Sequence, residues 1–337
     1  MITKFKAKDF TVFTDIDIDF SPGINIIVGT NGTGKTHLMK AVYSACSLIN
    51  KNSNRTLGQK VNGVFQPNSI GRLVHRAQGR KSGEFTVYRR KADETKDRSI
   101  RLELSSLNKA EQKVNGWFEE KPIEATFIPV KDMLANAPGF RSLVNKRELF
   151  YEEIYMDIID KAFLPIVKGR LSPEREKLLT HLKKAMEGSI IIKEETFYLK
   201  NKSGELEFPL LAEGFRKLGL LYRLIQNDSL INGSILFWDE PEANLNPKLA
   251  EAVVNILLEL QRMGVQIFLT THDYVLLKEF ELAAKQEDNV LYHVLYKDEN
   301  GIVRHNSSDD VDQLETNAID ETYSNILDKE IQKGFEL

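Results

Sequence analysis

Apolar and charged positions alternate near the start of the chain. In FTDIDIDF, residues 13–20, Ile16, Ile18 and Phe20 share one face of an extended strand, and Asp15, Asp17 and Asp19 share the other. A strand divided in this way is half exposed. Ser21, Pro22 and Gly23 then turn the chain into INIIV, residues 24–28, a β-branched run apolar on both faces that predicts a central buried strand. A glycine-rich loop follows, then a helix over 35–49. Between residues 72 and 129 the pattern is again strand-like, in GEFTVYRR, SIRLELSS and EATFIPV, and predicts an antiparallel sheet or lobe. Helical spacing takes over between residues 140 and 188, with Ser172 and Pro173 as N-cap and first-turn proline of a second helix there. IIIKEETFYLKNKSGELEFPLL reads as a hairpin turning near residues 202–204.

The last third alternates helix and strand. GFRKLGLLYRLIQN, NPKLAEAVVNILLELQRM and YVLLKEFELAA carry the helical period, while SILFWDE, VQIFLTTH and VLYHVLYK read as short apolar strands. Such alternation predicts a largely parallel sheet covered by helices. Neither repeats nor low-complexity tracts interrupt the pattern.

Composition adds limits. A chain of 337 residues with 42% hydrophobic and 28% charged residues is ordinary for a globular protein. No stretch approaches the roughly 20 apolar residues of a membrane helix, and the start lacks the apolar core of an export signal, so a soluble cytoplasmic protein is expected. The single cysteine, Cys46, fits a reducing cytosol and small apolar packing. A net charge of −3 makes no global case for nucleic acid, but the charge is uneven. Arg72, Arg76, Arg80, Lys81, Arg89, Arg90, Lys91, Lys96, Arg98 and Arg101 crowd one stretch against Glu84, Asp93, Glu94 and Asp97, whereas Asp309, Asp310, Asp312 and Glu315 make the tail acidic. The basic stretch is a candidate DNA-phosphate contact, or else a solvated hairpin.

Three motifs carry chemistry. Gly29, Thr30, Asn31, Gly32, Thr33, Gly34, Lys35 and Thr36 match the phosphate-loop pattern G-x-x-x-x-G-K-[ST] between a buried strand and a helix. Side chains at the glycines would obstruct the approach of backbone N–H groups to phosphate oxygens, and the helix N-terminus favours the anion. Lys35 is assigned to the β and γ phosphates, Thr36 to magnesium, and His37 to the nucleotide-binding set. SILFWDE delivers Asp239 and Glu240 at a strand's carboxyl end, Asp239 to hold magnesium and Glu240 to act as general base on water. In LTTHD, residues 269–273, His272 stands at a second strand end, placed to donate to a γ-phosphate.

The order GTNGTGKT, LAEGFRKLG, ILFWDEPEANLNP and LTTHD resembles the ABC-type ATPases, in particular the SMC-like and OLD-like (overcoming lysogenization defect) heads. The resemblance covers both terminal thirds of the chain. It implies an α/β fold, a P-loop NTPase head with a mostly parallel core sheet, an antiparallel β subsheet and an inserted helical lobe. The expected division is one domain over 1–337, with the core in 1–60 and 205–300, an inserted lobe over 61–204 and an extension over 301–337. It also implies ATP and Mg2+ as cofactors and a head-to-tail homodimer sandwiching two ATP molecules. Glu213 and Gly214 of the signature loop would then act on the other subunit's nucleotide. Ala212 departs from the family's usual serine there and puts rapid hydrolysis in doubt. Gln66 is the candidate for the family glutamine linking the magnesium site to the lobe, or else an ordinary loop glutamine, and Phe10 or Phe13 is the candidate for adenine stacking, each reading equally as core.

Three roles remain open. The signature, the following loop and the antiparallel insertion disfavour a transporter cassette, and the absence of long heptads weighs against a DNA-repair head. The preferred expectation is the ATPase part of a bacterial anti-phage or toxin-like system, with a separately encoded effector such as a nuclease or toxin. OLD-like proteins often fuse a nuclease after the head, and this chain ends soon after its core.

Overall fold

The computed structural model describes residues 1–50, 54–76, 78–79, 81–91, 94–120, 123–146, 150–314 and 318–335. Arg80, Asp93 and Glu315, singled out above, lie outside them. The elements begin with β1 (Ile2–Phe10), β2 (Phe13–Asp19), β3 (Ile24–Gly29), α1 (Lys35–Cys46), α2 (Leu57–Phe65), β4 (Ser82–Arg89), β5 (Arg98–Ser105), β6 (Lys109–Asn115) and β7 (Ala125–Ile128). Next come α3 (Ala137–Asn145), α4 (Glu153–Phe163), α5 (Pro173–Met186), β8 (Ser189–Lys193), β9 (Thr196–Asn201), β10 (Gly204–Glu207) and α6 (Glu213–Gln226). The chain finishes with β11 (Ile235–Asp239), α7 (Ala250–Arg262), β12 (Gln266–Thr270), α8 (Tyr274–Ala283), β13 (Val290–Lys297), β14 (Val303–Ser308) and α9 (Ala318–Phe335).

The core sheet runs β14-β13-β3-β12-β11-β7, parallel except for the antiparallel edge strand β14. β3 is buried along its whole length, as its composition predicts. Ile24, Ile26 and Val28 pack into the core shared with α6, α7 and α8, and Ile27 enters the core shared with α1 and the second sheet. That second sheet is antiparallel, in the order β2-β1-β4-β5-β6, and Ile16 and Ile18 enter its buried face while Asp17 pairs with Lys4 and Lys6 outside. Gln266, at the start of β12, ties the two sheets: its side chain accepts from the Ile2 amide at 2.7 Å and donates to the Ile2 and Ser21 carbonyls at 2.8 Å each.

The segment expected as one inserted lobe is divided. EATFIPV does not join the antiparallel sheet: β7 is the parallel edge of the core sheet, paired in register with β11. The strands β4, β5 and β6 extend the sheet opened by β1 and β2, so residues 82–115 continue the N-terminal hairpin. The periodicity could not show this, because an apolar four-residue run fits either sheet. IIIKEETFYLKNKSGELE belongs to a three-stranded meander, β8-β9-β10: the expected hairpin is β9–β10, and the added first turn uses Glu194 and Glu195 at φ 46° and 60°, where glycine or asparagine is the usual signal. α5 starts as expected, with the Ser172 hydroxyl accepting from the Arg175 amide.

β13 carries a buried polar relay. His293 Nε2 lies 3.1 Å from Asn25 Oδ1 on β3, and its Nδ1 lies 3.0 Å from His305 Nε2 on β14. Asn25 also accepts from the Ser21 amide and donates to the Ser21 carbonyl, so its polar atoms are satisfied within the core. Burial, and then the neighbouring His305, hold His293 well below the ordinary histidine range, and burial lowers His305 to about 4 against the opposing pull of Asp19 and Asp17. A histidine whose folded pKa is depressed takes up its proton more readily when unfolded. Its contribution is therefore complete above pH 6.5 and is lost as pH falls toward the folded value. Stability should fall between pH 6.5 and 4, by up to about 1.4 kcal/mol per pH unit for each such histidine. His305→Gln should flatten that slope, as read by urea midpoints at pH 7 and pH 5.

Candidate functional site

The parallel register brings the motif ends together. Asp239 on β11 pairs with Thr270 on β12, and Thr270 with Ile27 on β3, so the phosphate loop, the two carboxylates and His272 leave the sheet along one edge. A cavity of about 220 Å³ there is lined by Val12, Asn31, Gly32, Gly34, Lys35, Thr36, His37, Glu240 and His272. These are residues of all three motifs. Gly29 holds φ 149°, and a Cβ on it would stand 2.2 Å from the Leu295 carbonyl oxygen. Gly34 holds φ 96°, and a Cβ there would meet Val12 at 2.5 Å and Phe13 at 2.7 Å. The two glycines are thus required by the packing of the loop against β13 and the β1–β2 turn.

Lys35 folds back on the loop, donating to the carbonyls of Gly29 at 2.8 Å and Thr30 at 3.3 Å. Burial lowers its pKa to about 8, opposed by Glu240, Asp239 and Glu242. The Thr36 hydroxyl meets Asp239 Oδ1 at 3.2 Å and Oδ2 at 3.1 Å, and Thr270 donates to Asp239 Oδ1 at 2.6 Å. A hard divalent cation takes oxygen ligands, and a hydroxyl converging on a buried carboxylate at the cavity wall fits that chemistry. Burial raises the Asp239 pKa, while Thr270 and Thr36 pull it down. His272 Nε2 lies 3.3 Å from Glu240 Oε1, and burial followed by Lys35 lowers its pKa, leaving a neutral donor.

Residues without an assigned role in the sequence shape this edge. Glu242 Oε1 accepts from the Thr271 hydroxyl and the His272 amide, each at 2.8 Å, and so fixes the backbone that carries His272. The Thr270 hydroxyl also accepts from the Glu240 amide at 3.1 Å. Only their places in DEPE and LTTH mark them in the sequence.

A second cavity of about 400 Å³ adjoins the first and shares Val12, Gly32 and His37 with it. Thr11, Arg72, His75, Arg76 and Lys297 also line it. Phe10 and Phe13 do not: both are fully buried, Phe10 against Phe85 and Phe65 and Phe13 against Phe5. The adenine-stacking assignment to either ring is therefore corrected, since no ring face remains free, and Thr11 and Val12 between them reach the cavity instead. His37 Nδ1 is buried with no hydrogen-bond partner among the described residues, at the junction of the two cavities.

Gln66 lines neither cavity. It ends α2 in left-handed backbone at φ 49°, and its amide donates to the Tyr151 carbonyl at 2.9 Å. Glu213 and Gly214 lie at the start of α6 and line neither cavity of their own chain; Glu213 accepts from Asn244 at 3.0 Å. Much of the basic stretch is neutralised within its sheet. Arg89 is buried against the Trp117 carbonyl and Glu119, Arg90 pairs with Asp97, Lys91 with Glu119, Arg98 with Glu94, and Arg101 with Glu84. Cys46 is buried, its thiol pKa pushed up by burial. A larger cavity of about 570 Å³ opens beside Met1, Arg89 and Gln266 and is lined by none of the phosphate-loop residues, Asp239, Glu240 or His272, so size does not mark the site. Among the described residues no helix is long and apolar enough to cross a membrane.

The comparisons with known proteins agree with this geometry. The chain is 28% identical over 143 residues to the DNA replication and repair protein RecF of Citrobacter koseri, and likewise to that of Klebsiella pneumoniae subsp. pneumoniae. Each match covers 42% of this chain and 34% of the relative, so the chain spans about a third of the length of these curated relatives. Among solved structures, the SMC head bound to the C-winged helix domain of ScpA superposes with TM-score 0.59 at 16% identity, covering 91% of this chain and 97% of that one. The SMC head domain from Thermotoga maritima gives 0.52 at 15% identity, covering 92% and 99%. At such identities the likeness shows the fold: an α/β SMC-head-like architecture, with a mostly parallel sheet and antiparallel subsheets. Residues 24–278 match the family described as "AAA domain, putative AbiEii toxin, Type IV TA system", and the chain belongs to that family of P-loop ATPases, related to RecF and SMC heads.

Proposed function

We propose that this chain binds and hydrolyses ATP as a switch, closing into a head-to-tail dimer whose nucleotide state controls a separately encoded effector of a toxin-type or anti-phage system. The observation that carries the ATPase reading is the convergence of Lys35, Thr36, Glu240 and His272 on one cavity, with Asp239 bonded to Thr36 at its edge. The family description supports the toxin-system context.

The phosphates would enter the smaller cavity, accepting from the loop amides and from Lys35, which would exchange its carbonyl contacts for phosphate oxygens. Thr36 and Asp239 would hold magnesium, which when bound would neutralise charge on the phosphate oxygens. Glu240 orients and deprotonates the attacking water, with His272 beside it to donate to the γ-phosphate. The nucleoside extends into the second cavity past His37, whose unpartnered Nδ1 would gain a ligand contact there.

Dimerisation is supported by the placement of residues 211–214. Ala212 is the N-cap of α6 and makes no side-chain cap; its carbonyl accepts from the Phe215 amide at 3.0 Å, and the amides of Glu213 and Gly214 ahead of it receive nothing from the N-cap side chain. A γ-phosphate from a second copy would satisfy them. A DNA-repair role, favoured by the RecF match, is the second reading. DNA binding that weakens steeply with salt would support it, and co-purification of a neighbouring gene's nuclease or toxin with the ATP-bound dimer would support the first.

Lys35→Ala should weaken ATP binding by about 100-fold or more, the scale of a lost charge-assisted contact. Glu240→Gln should retain ATP, slow turnover by about 10²- to 10⁴-fold and accumulate dimer in size-exclusion chromatography with ATP and magnesium. Equal turnover in Glu240→Gln removes the base assignment. Gly34→Ala forces a Cβ into the β1–β2 turn at positive φ, and should weaken binding of a fluorescent ATP analogue by about tenfold or more.

A further inference from the structure

We propose that Lys217, on α6, is a positioning residue that holds the backbone of Glu240 in its reactive conformation and links it to the helix turn carrying Gly214. The inference rests on the assignment of Glu240 as general base.

Glu240 adopts φ 48°, and Asn244, four residues on, adopts φ 60°. Left-handed backbone is disfavoured for residues with a Cβ, and the residue before a proline is pushed toward extended backbone, so Glu240, followed by Pro241, is doubly unfavourable. Such a conformation persists only when its surroundings hold it. The Glu240 amide donates to Thr270, and the Glu240 carbonyl accepts from the Ala243 amide at 3.1 Å. The remaining contacts come from one cation. Lys217 Nζ donates to the carbonyls of Glu240 at 3.3 Å, Pro241 at 3.5 Å and Ala243 at 2.5 Å.

The side chain is buried, with 3% of its surface exposed; Glu213, Glu242, Asp132 and Glu240 act on its charge, but its hydrogen bonds go to backbone carbonyls. A buried ammonium is costly, and an apolar residue would fill the same space without that cost. Its three donors match the three carbonyls that converge on it from a tight turn, which an apolar residue would leave without that donor. The neighbouring Arg216 is committed elsewhere, to Asp132 at 2.8 Å. Lys217 therefore joins two sites in the proposed dimer: the start of its helix serves the partner's nucleotide, and its ammonium sets the base facing its own.

The test compares wild type, Lys217→Met and Lys217→Arg by amide hydrogen exchange without nucleotide and by steady-state ATP turnover. In Lys217→Met, exchange of amides 240–246 should rise about 10- to 100-fold, the scale of lost hydrogen bonds to a charged group, while amides 219–226 stay unchanged. The turnover number should fall by a similar factor with KM within about twofold, and Lys217→Arg should recover part of both. Unchanged exchange over 240–246, a parallel rise along all of α6, or full turnover in Lys217→Met would overturn the proposal. If Lys217→Met does not fold, Lys217→Gln, which keeps a shorter donor, is read by the same criteria. A wild type without ATP turnover would reject the ATPase reading, and the exchange comparison would then decide the role of Lys217 alone.

Discussion

The site depends on the parallel register of three strands. Because Ile27 of β3 lies opposite Thr270 of β12, and Thr270 opposite Asp239 of β11, the strands end together. The side chain of Thr270 converts that register into chemistry, donating to the Asp239 carboxylate and accepting from the Glu240 amide. A slip of one residue would turn each side chain to the opposite face and separate the carboxylate from the phosphate loop. Burial prevents the slip, since β3, β11 and β12 are covered on both faces.

The antiparallel sheet has a second task beside covering α1. Its first turn presses Val12 and Phe13 against Gly34, so the last glycine of the phosphate loop is fixed from outside while Gly29 is fixed by β13. The loop is thereby built before ligand arrives, which lowers the ordering cost of binding an anion. Lys35, bonded to loop carbonyls, is the part free to change partners.

The sequence makes the loop, the carboxylate pair and His272 legible because each is a local pattern with a forced backbone: glycines at positive φ, an apolar strand ending in acids, a polar break after VQIFL. β3, β11, β12, β13 and the helices between them are legible for the same reason, since a fully buried short strand has little compositional freedom. β6 escapes the pattern because KAEQKVN is almost wholly exposed and has no apolar period. β7 is misplaced because nothing in ATFI distinguishes parallel from antiparallel neighbours. Phe10 and Phe13 stay open in the sequence for a different reason, since an aromatic near a site and an aromatic in a core read alike until the second sheet is folded over them. Lys217 and Glu242 act through contacts far along the chain, to residues 240–243 and 271–272, which no window of sequence joins.

Helix α6 gives the proposed dimer its logic. Its first turn receives no cap from the side chain of Ala212, and its fourth and fifth residues are tied inward, Arg216 to Asp132 and Lys217 to the loop after Glu240. A serine at 212 would offer its hydroxyl to the helix in the open chain and to phosphate in the closed one, favouring both states. Alanine favours only the state in which an external anion arrives. Closure then depends more on the γ-phosphate, and the loss of that phosphate on hydrolysis removes more of what holds the dimer shut. A ligand shifts an equilibrium only by its differential affinity for the two states, and in the proposed dimer that differential would sit on α6.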